Sequence, residues 1–594
     1  MKRSLTPLCA TLAILSACGG APMPTPSTIQ VPLTGTPAIS PAPPTPVAPA
    51  SSSSADIAGK VDPIFASLAE PTAHAPGCVA GVFRAGQVLY AKGYGLANLE
   101  YDLPITTTTT FEIGSMSKQF TATAILLLAQ DGKLALTDDV RKYVPELPNY
   151  GHVITLRHLL HHTGGLREYD ALLSLSGGDD ADVATEDEAL RLVALQKGTN
   201  FVPGTEWSYS NTGYFLLSIV VKRVSGKTLA AFSKERIFEP LGMKDTTIFD
   251  DHAMVVRRHA TGYSPRETPR DGVAFKVNMS GREMTGEGNI QTTLDDLARW
   301  DANFYEPKVG GASWLETMRT PGKRDDGTAL TYAMGLMLRT NHGFAEEEHS
   351  GGWAGYLSDW RRYPAAKLSF VCVCNRDDVN PIALTESMAK ALLPASSAVA
   401  PDALSTEKAN VPVPTPDLGP FVGAYIDPAS LTVRAFAAKD GKLAMGMALG
   451  SGPSRPMEPL DARSFHVSGA SSRWTFEATA GKKPARVTRT APGEKTMTFE
   501  RFEPATLDAS KLAAYVGRYE SPEMTSDFEI VVKDGKLQAG PWGKPHEQSA
   551  FDPLARDSFA APGLALAFER DAKGKVVRMT GVFGGYRAVR WTKR

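Results

Sequence analysis

Phe111-Glu112-Ile113-Gly114-Ser115-Met116-Ser117-Lys118-Gln119-Phe120-Thr121 is the stretch around which the chain is organised. Ser115 and Lys118 stand three apart, just before the apolar run 123–129, which reads as a buried helix with Gly114 as the break ahead of it. Positions i and i+3 share one helix face, so the Ser115 hydroxyl and the Lys118 amine come within hydrogen-bond reach. A serine hydroxyl is a poor nucleophile until a neighbouring base takes its proton. A lysine in a partly desolvated pocket loses enough pKa to help, and a helix N-terminus favours negative charge developing nearby. Ser-x-x-Lys recurs by chance in long chains, so its weight depends on what accompanies it.

Two further stretches accompany it in order. Trp207-Ser208-Tyr209-Ser210-Asn211-Thr212-Gly213 precedes an apolar helix predicted over 215–224, and alone would read as a capping turn. A hairpin is predicted from 332 to 339, a turn at Asn341-His342-Gly343, and a strand from 344 to 352 that carries Glu346-Glu347-Glu348-His349-Ser350-Gly351-Gly352. Strands are also expected at 78–83, 88–94, 360–363 and 368–374, a short helix within 154–166, a loop over 170–185, and a helix after Thr293 as its N-cap. His158, His161 and His162 have spacings that allow a metal, but no other ligand cluster accompanies them, so no metal or other cofactor is expected.

At 594 residues the chain is too long for one core. Its formal net charge of -1 gives no field that favours nucleic acid. Lys2 and Arg3 precede a short apolar stretch ending Leu15-Ser16-Ala17-Cys18-Gly19. This reads as a signal segment over 1–17. Residues 19–56 are rich in Pro, Ser, Thr and Ala and read as a disordered tether. A second such linker spans 396–415. Beyond it Phe421-Val422-Gly423-Ala424-Tyr425 recurs as Tyr515-Val516-Gly517-Arg518-Tyr519, and Lys439-Asp440-Gly441-Lys442-Leu443 recurs as Lys533-Asp534-Gly535-Lys536-Leu537. The offset is 94 each time, so two copies of one module are expected, at 416–505 and 506–594, each a small antiparallel barrel. Cys78, Cys372 and Cys374 are odd in number, which gives no complete disulfide framework, and Cys372 and Cys374 read as small buried apolar residues on one strand face.

Ser115-x-x-Lys118, Tyr209-Ser210-Asn211 and His349-Ser350-Gly351, with His162-Thr163-Gly164-Gly165 and Pro240-Leu241-Gly242-Met243, together resemble the serine β-lactamase and penicillin-binding protein family. The branch is that of class C β-lactamases and D-Ala-D-Ala carboxypeptidases, and the resemblance covers about 60–395. It implies an α+β fold for 57–395: an antiparallel sheet flanked by helices, plus a helical subdomain, ahead of the two barrels. It implies that Ser115 forms an acyl-enzyme and that Lys118 and Tyr209 share its proton, Tyr209 with a lowered pKa. Asn211 would contact the substrate amide and the Lys118 amine. The oxyanion hole would be the N–H groups of Ser115 and Gly352, with Gly351 allowing close approach. The segment ending at Cys18 resembles a lipoprotein box, which implies lipid on Cys18 and anchorage in the bacterial cell envelope, with the outer membrane preferred.

The third motif departs from the Lys-Thr-Gly usual in the lactamases and carboxypeptidases. A histidine is mostly neutral at pH 7, so substrates without a free carboxylate are expected, with the preference narrowing below about pH 6 as His349 is protonated. Arg361 or Arg362 would be the replacement for the missing lysine if carboxylates were nonetheless preferred. Within the branch His-x-Gly occurs in D-aminopeptidases, which also carry two barrels, and in esterase-like members. Glu346, Glu347 and Glu348 read as a solvated strand face, the other reading being a site for an amino-terminal ammonium. The leading expectation is a serine hydrolase acting on small-molecule or peptide amides or esters, D-amino-acid peptides among them. The alternatives are a broad carboxylesterase, a β-lactamase or carboxypeptidase on the same site, and a non-catalytic penicillin-binding or receptor-like protein.

Overall fold

The computed structural model of the chain describes residues 54–594, except 69–73, 179–180, 395–416, 447–454, 468–471, 478–482, 492–494, 506, 545–547, 556, 562–563 and 584–585. The expected signal segment, Cys18, the linker at 396–415 and the tether up to residue 53 lie outside the described residues. The last tether positions, 54–56, are not extended: they open the helix α1 (Ser54–Val61), which buries Ile57 and Val61.

Six strands make one antiparallel sheet. They are β1 (Cys78–Arg84), β2 (Gln87–Tyr94), β3 (Met337–Asn341), β4 (Phe344–Trp353), β5 (Tyr356–Tyr363) and β6 (Leu368–Cys374), in the order β3-β4-β5-β6-β1-β2. β1 and β6 sit centrally and are apolar on both faces, as strands covered on two sides must be. Cys78, Ala80, Val82, Phe370 and Cys372 pack with α1 and with α8 (Pro381–Leu392). Val79, Phe83, Val371 and Val373 face the larger helical layer.

That layer is built on α2 (Lys118–Gln130), buried from Lys118 to Leu128 on every side, which is the composition of a central helix. Around it stand α3 (Leu156–Leu160), α4 (Tyr169–Leu175), α5 (Glu186–Leu195), α6 (Asn211–Ser225) and α7 (Leu294–Asn303). Thr293 caps α7 by accepting from the Asp296 N–H, as its sequence predicts. Helix α4 corrects the expected loop over 170–185. Tyr169, Leu172, Leu173 and Leu175 recur at helical spacing and are buried, and this apolar stripe overrides the polar composition that follows it. The hairpin also starts later than expected, at Met337, because Tyr332 turns inward and is wholly buried.

The cysteine reading is corrected too. Register places Cys78 opposite Cys374 on the β1–β6 pair, and the two form a disulfide, leaving Cys372 as a buried free thiol. The odd count hid a pair because only strand order decides which two meet.

The glutamates of β4 are likewise not solvated. Glu346, Glu347 and Glu348 are 2%, 6% and 5% exposed. The strand is flanked on both sides, and each acid meets an arginine: Glu346 with Arg361 at 3.0 Å, Glu347 with Arg362 at 2.6 Å, Glu348 with Arg339 at 3.0 Å. Arg362 also lies 3.4 Å from the Phe304 ring centre and pairs with Asp301. Removing one member of such a buried pair typically costs about 3–5 kcal/mol.

Two closed eight-stranded antiparallel barrels follow, β7–β14 within Gly423–Phe502 and β15–β22 within Gly517–Lys593. The sequence repeat maps onto equivalent core sites: Tyr425 and Tyr519, Leu443 and Leu537, Phe465 and Phe559 are all buried. In both copies the Asp-Gly of the Lys-Asp-Gly-Lys-Leu match has positive φ at both residues, the geometry a two-residue hairpin turn demands. Among the described residues no helix is long and apolar enough to cross a membrane.

Candidate active site

Ser115 lies in a single 3-10 turn, Gly114–Ser117, that runs directly into α2. The turn delivers Lys118 back toward it: Nζ is 3.0 Å from Ser115 Oγ. The amine also lies 2.8 Å from Asn211 Oδ1, at the first turn of α6, and 2.9 Å from the Glu287 carbonyl. Ser210 caps α6 through the Gly213 N–H, so the second motif is both a capping turn and a side of the site. Lys118 is wholly buried, and burial lowers its pKa to about 7, with Glu287, Glu168 and Asp170 opposing the fall. An amine near neutrality, held by two fixed acceptors and touching a serine hydroxyl, can take that hydroxyl's proton at pH 7.

A layer of acids lies behind the lysine. Glu168 Oε2 accepts from the Asn211 N–H at 2.7 Å and the Thr212 N–H at 3.3 Å. Asn211 Nδ2 donates to Asp170 at 3.3 Å, and the Tyr169 hydroxyl donates to Glu287. Burial and the Asp170 charge push Glu168 up to about 8, and burial raises Glu287. None of these acids is evident as a site residue in the sequence. The signal available was two acids flanking a tyrosine directly after the His162-Thr163-Gly164-Gly165 motif.

An aromatic wall closes the other side. The Tyr209 ring centre is 4.8 Å from Lys118 Nζ and 4.3 Å from the His162 ring. The Tyr209 hydroxyl is withdrawn from solvent and makes no hydrogen bond of normal length to a described residue. Burial raises its pKa, the nearby Ser115 hydroxyl only partly opposing this. The expected lowered tyrosine pKa is therefore corrected: desolvation outweighs the neighbouring donors, and the phenol stays protonated. His162 accepts from the Ser210 N–H at 3.1 Å and is held neutral by burial and the lysine charge. His158 closes a capping box with Thr155.

His349 sits on β4 beside this wall. Its Nδ1 donates to the Ser350 carbonyl at 2.6 Å, so its Nε2 accepts from the Tyr332 hydroxyl at 3.0 Å. Burial, followed by the Lys118 charge, lowers its pKa to about 3. The expected protonation below pH 6 is corrected accordingly: an enclosed imidazole next to a cation does not take a proton there.

Ser115, Tyr209, Tyr332, His349, Gly351 and Gly352 line one cavity of about 300 Å³, with Met337, Arg339, Glu348 and Ser350. Gly114, with φ of +51°, lets β4 approach the serine turn: a Cβ there would stand 2.6 Å from the Gly352 nitrogen. A Cβ on Gly351 would stand 2.0 Å from the Ile113 carbonyl oxygen. The Gly352 amide is thereby held against the Ser115 turn, where two N–H groups can serve one oxyanion. Arg361 and Arg362 do not line the cavity. They are buried in ion pairs with Asp359, Glu346, Asp301 and Glu347. The arginine on the cavity wall is Arg339, a residue the sequence reading passed over, held by Glu348.

Comparison with known proteins agrees with this fold. The profile of the family described as "Beta-lactamase" matches residues 61–394, and that of a domain of unknown function, DUF3471, matches 501–584, largely the second barrel. Penicillin-binding protein 4* of Bacillus subtilis is 30% identical over 308 residues, 49% of this chain and 66% of that protein. A D-aminopeptidase of Cereibacter sphaeroides is 29% identical over 476 residues, 78% of this chain and 83% of that one. The octameric penicillin-binding protein homologue from Pyrococcus abyssi has the same fold, with a TM-score of 0.50 at 22% identity over 75% of this chain and 99% of that one. With the family match covering more than half its length, the chain belongs to the β-lactamase and penicillin-binding-protein family and is a serine hydrolase of that family.

Proposed function

We propose that the protein hydrolyses amide bonds of D-amino-acid peptides or amides through an acyl-enzyme on Ser115. The observation that carries this reading is the Lys118 amine, at 3.0 Å from Ser115 Oγ with its pKa near 7. In this reaction Lys118 takes the Ser115 proton as Oγ bonds to the substrate carbonyl carbon. The Ser115 and Gly352 N–H groups hold the oxyanion. The proton then passes to the departing amine, leaving the acyl-enzyme. Tyr209, protonated at rest, relays: it takes a proton from the incoming water, whose oxygen bonds to the acyl carbon, as it hands its own to Lys118, and Lys118 returns a proton to Ser115 Oγ as the acyl–Oγ bond breaks and the acid leaves. Asn211 fixes the amine that drives both steps.

The D-aminopeptidase relatives and the third motif support this substrate class. His349 brings no charge, and the Arg339 cation is matched by Glu348, so the cavity wall supplies no net cation for a carboxylate. The test compares D-alanine p-nitroanilide with D-Ala-D-Ala at pH 7.5 and 5.5. The anilide should be favoured in kcat/KM by about tenfold or more, corresponding to at least ~1.4 kcal/mol. The ratio should narrow at pH 5.5: His349 stays neutral, but burial pushes Glu348 up to about 7, so its charge no longer matches Arg339 there. A preference for the carboxylate-ended peptide would overturn this reading and single out Arg339 as its partner. An esterase acting broadly would instead turn over aryl esters well and the anilide hardly at all.

We also propose lipid anchorage through Cys18, on the Leu15-Ser16-Ala17-Cys18 pattern. Cys18→Ser should move the protein from the membrane pellet to the soluble fraction of its host. Retention in the pellet would refute the anchor.

A further inference from the structure

The contact of the second barrel with the catalytic domain is centred on a buried acid, Glu523. Glu523 lies in the turn between β15 (Gly517–Glu520) and β16 (Phe528–Lys533) and is 6% exposed. Its Oε1 is 2.7 Å from Arg167 Nη1, with the two side chains 9% and 11% exposed. The same oxygen accepts the Lys197 N–H at 2.9 Å, and the Glu523 carbonyl accepts from Gln196 Nε2 at 2.7 Å. Arg167 Nη1 also donates to Gln196 Oε1 at 2.7 Å, so the guanidinium is clamped between the barrel and the end of α5. Around this contact Thr525 meets Ser176 at 3.2 Å, and Lys544 donates to the Gly177 carbonyl. The apolar core of this barrel runs on into that of the catalytic domain, whereas the first barrel's core stands apart.

Arg167 is one residue from the acids behind the lysine. Its carbonyl accepts from the Thr212 hydroxyl at 2.8 Å, and that hydroxyl accepts from the Tyr169 N–H at 2.8 Å. Between them Glu168 holds the Asn211 N–H at 2.7 Å, and Asn211 holds Lys118 at 2.8 Å. Hydrogen bonds thus join Glu523 to Arg167 and, across the peptide link to the next residue, Glu168 to Asn211, Asn211 to Lys118 and Lys118 to Ser115.

We propose that Glu523 is a positioning residue, through which the second barrel holds the Arg167–Asp170 segment and, by it, the Asn211–Lys118 pair that serves Ser115. The module matched by a domain of unknown function is on this account a brace for the catalytic lysine. The inference rests on the reading that Lys118 is the base for Ser115.

The groups facing Lys118 are Glu287, Glu168 and Asp170 on the acid side, and His162, His349, Tyr209 and Tyr214 on the aromatic side. The two histidines are held neutral, and Glu348 on the cavity wall, pushed by burial to about 7, is common to every variant, so a displacement of the kcat/KM profile near pH 7 between wild type and variant reports the lysine and its acids. Releasing Arg167 loosens the Glu168–Asn211 contact and admits water, which moves the lysine toward its ordinary, higher pKa. The experiment uses the full chain and compares wild type, Glu523→Ala, Glu523→Gln, Arg167→Ala and the Arg167→Ala/Glu523→Ala double variant. Glu523→Ala should lower kcat about tenfold with KM changed less than twofold, and shift the acid limb of kcat/KM upward by about half a pH unit or more. Glu523→Gln, which keeps an acceptor for the Lys197 N–H, should lose less. The double variant should lose no more than the worse single one. If Glu523→Ala folds poorly, Glu523→Gln carries the same pH readout. A lowered melting temperature with an unmoved pH midpoint and unchanged kcat would show mere docking and overturn the proposal. Ser115→Ala assayed beside these variants separates the two readings: if it stays active, the assignment of the site fails, whereas an inactive Ser115→Ala with a wild-type Glu523→Ala refutes only the brace.

Discussion

Ser115→Ala should abolish turnover, with kcat reduced by at least ~10³-fold and the fold unchanged. The side chain lies in a short turn at the cavity and is part-exposed, so its loss removes little packing and leaves stability within ~0.5 kcal/mol. What disappears is the hydroxyl that stands 3.0 Å from the Lys118 amine. A serine-directed phosphonate labels the wild type and leaves the variant unlabelled, as intact mass reads directly. Activity retained above a few per cent would remove Ser115 as nucleophile.

Lys118→Arg should be nearly as damaging, also on the order of a thousandfold in kcat/KM, although the charge is kept. A guanidinium stays protonated at any working pH and accepts no proton from Ser115. The pH profile makes the same point from the wild type. Burial lowers the lysine to about 7, so the free amine is present above that value and lost as pH falls through it. Wild-type kcat/KM should rise through pH 7 to a plateau. A flat profile from pH 5 to 8 would show that the lysine is not the base. Linkage fixes a second sign. Because the folded pKa is below the unfolded one of 10.5, the unfolded chain binds more protons between about 7 and 10.5. The lysine's contribution to stability therefore becomes more favourable as pH rises through that window. Lys118→Met, which removes the titration, should flatten that dependence in denaturant melts.

The parts of this molecule legible in its sequence are those encoded locally or by repetition. Ser115 and Lys118 are three apart, and the turn-to-helix geometry does bring them to 3.0 Å. The repeat from Tyr425 to Tyr519 exposed two barrels because equivalent core sites demand equivalent residues. What stayed hidden depends on which strand lies next to which. Three successive glutamates look solvated until β3 and β5 bring Arg339, Arg361 and Arg362 to them. Tyr209 was recognisable as a neighbour of the lysine, but its pKa is set by enclosure between His162 and Tyr332, which no local pattern records. Glu168 and Glu523 escaped for the same reason: one acts through the backbone of α6, the other from a different domain.

The Cys78–Cys374 bond gives the denatured chain an unusual topology. It joins residues 296 apart, so the unfolded oxidised polypeptide is a lasso, not an open string. The ring contains the serine turn, the acid layer and β4, while both barrels hang from it as a free tail. In the chain-entropy account, closing a loop of that size withdraws about 6 kcal/mol of freedom from the denatured state. That gain belongs to the catalytic ring alone. A reductant therefore weakens the domain that does the chemistry and leaves the intrinsic stability of the first barrel, outside the ring and with its own core, where it was.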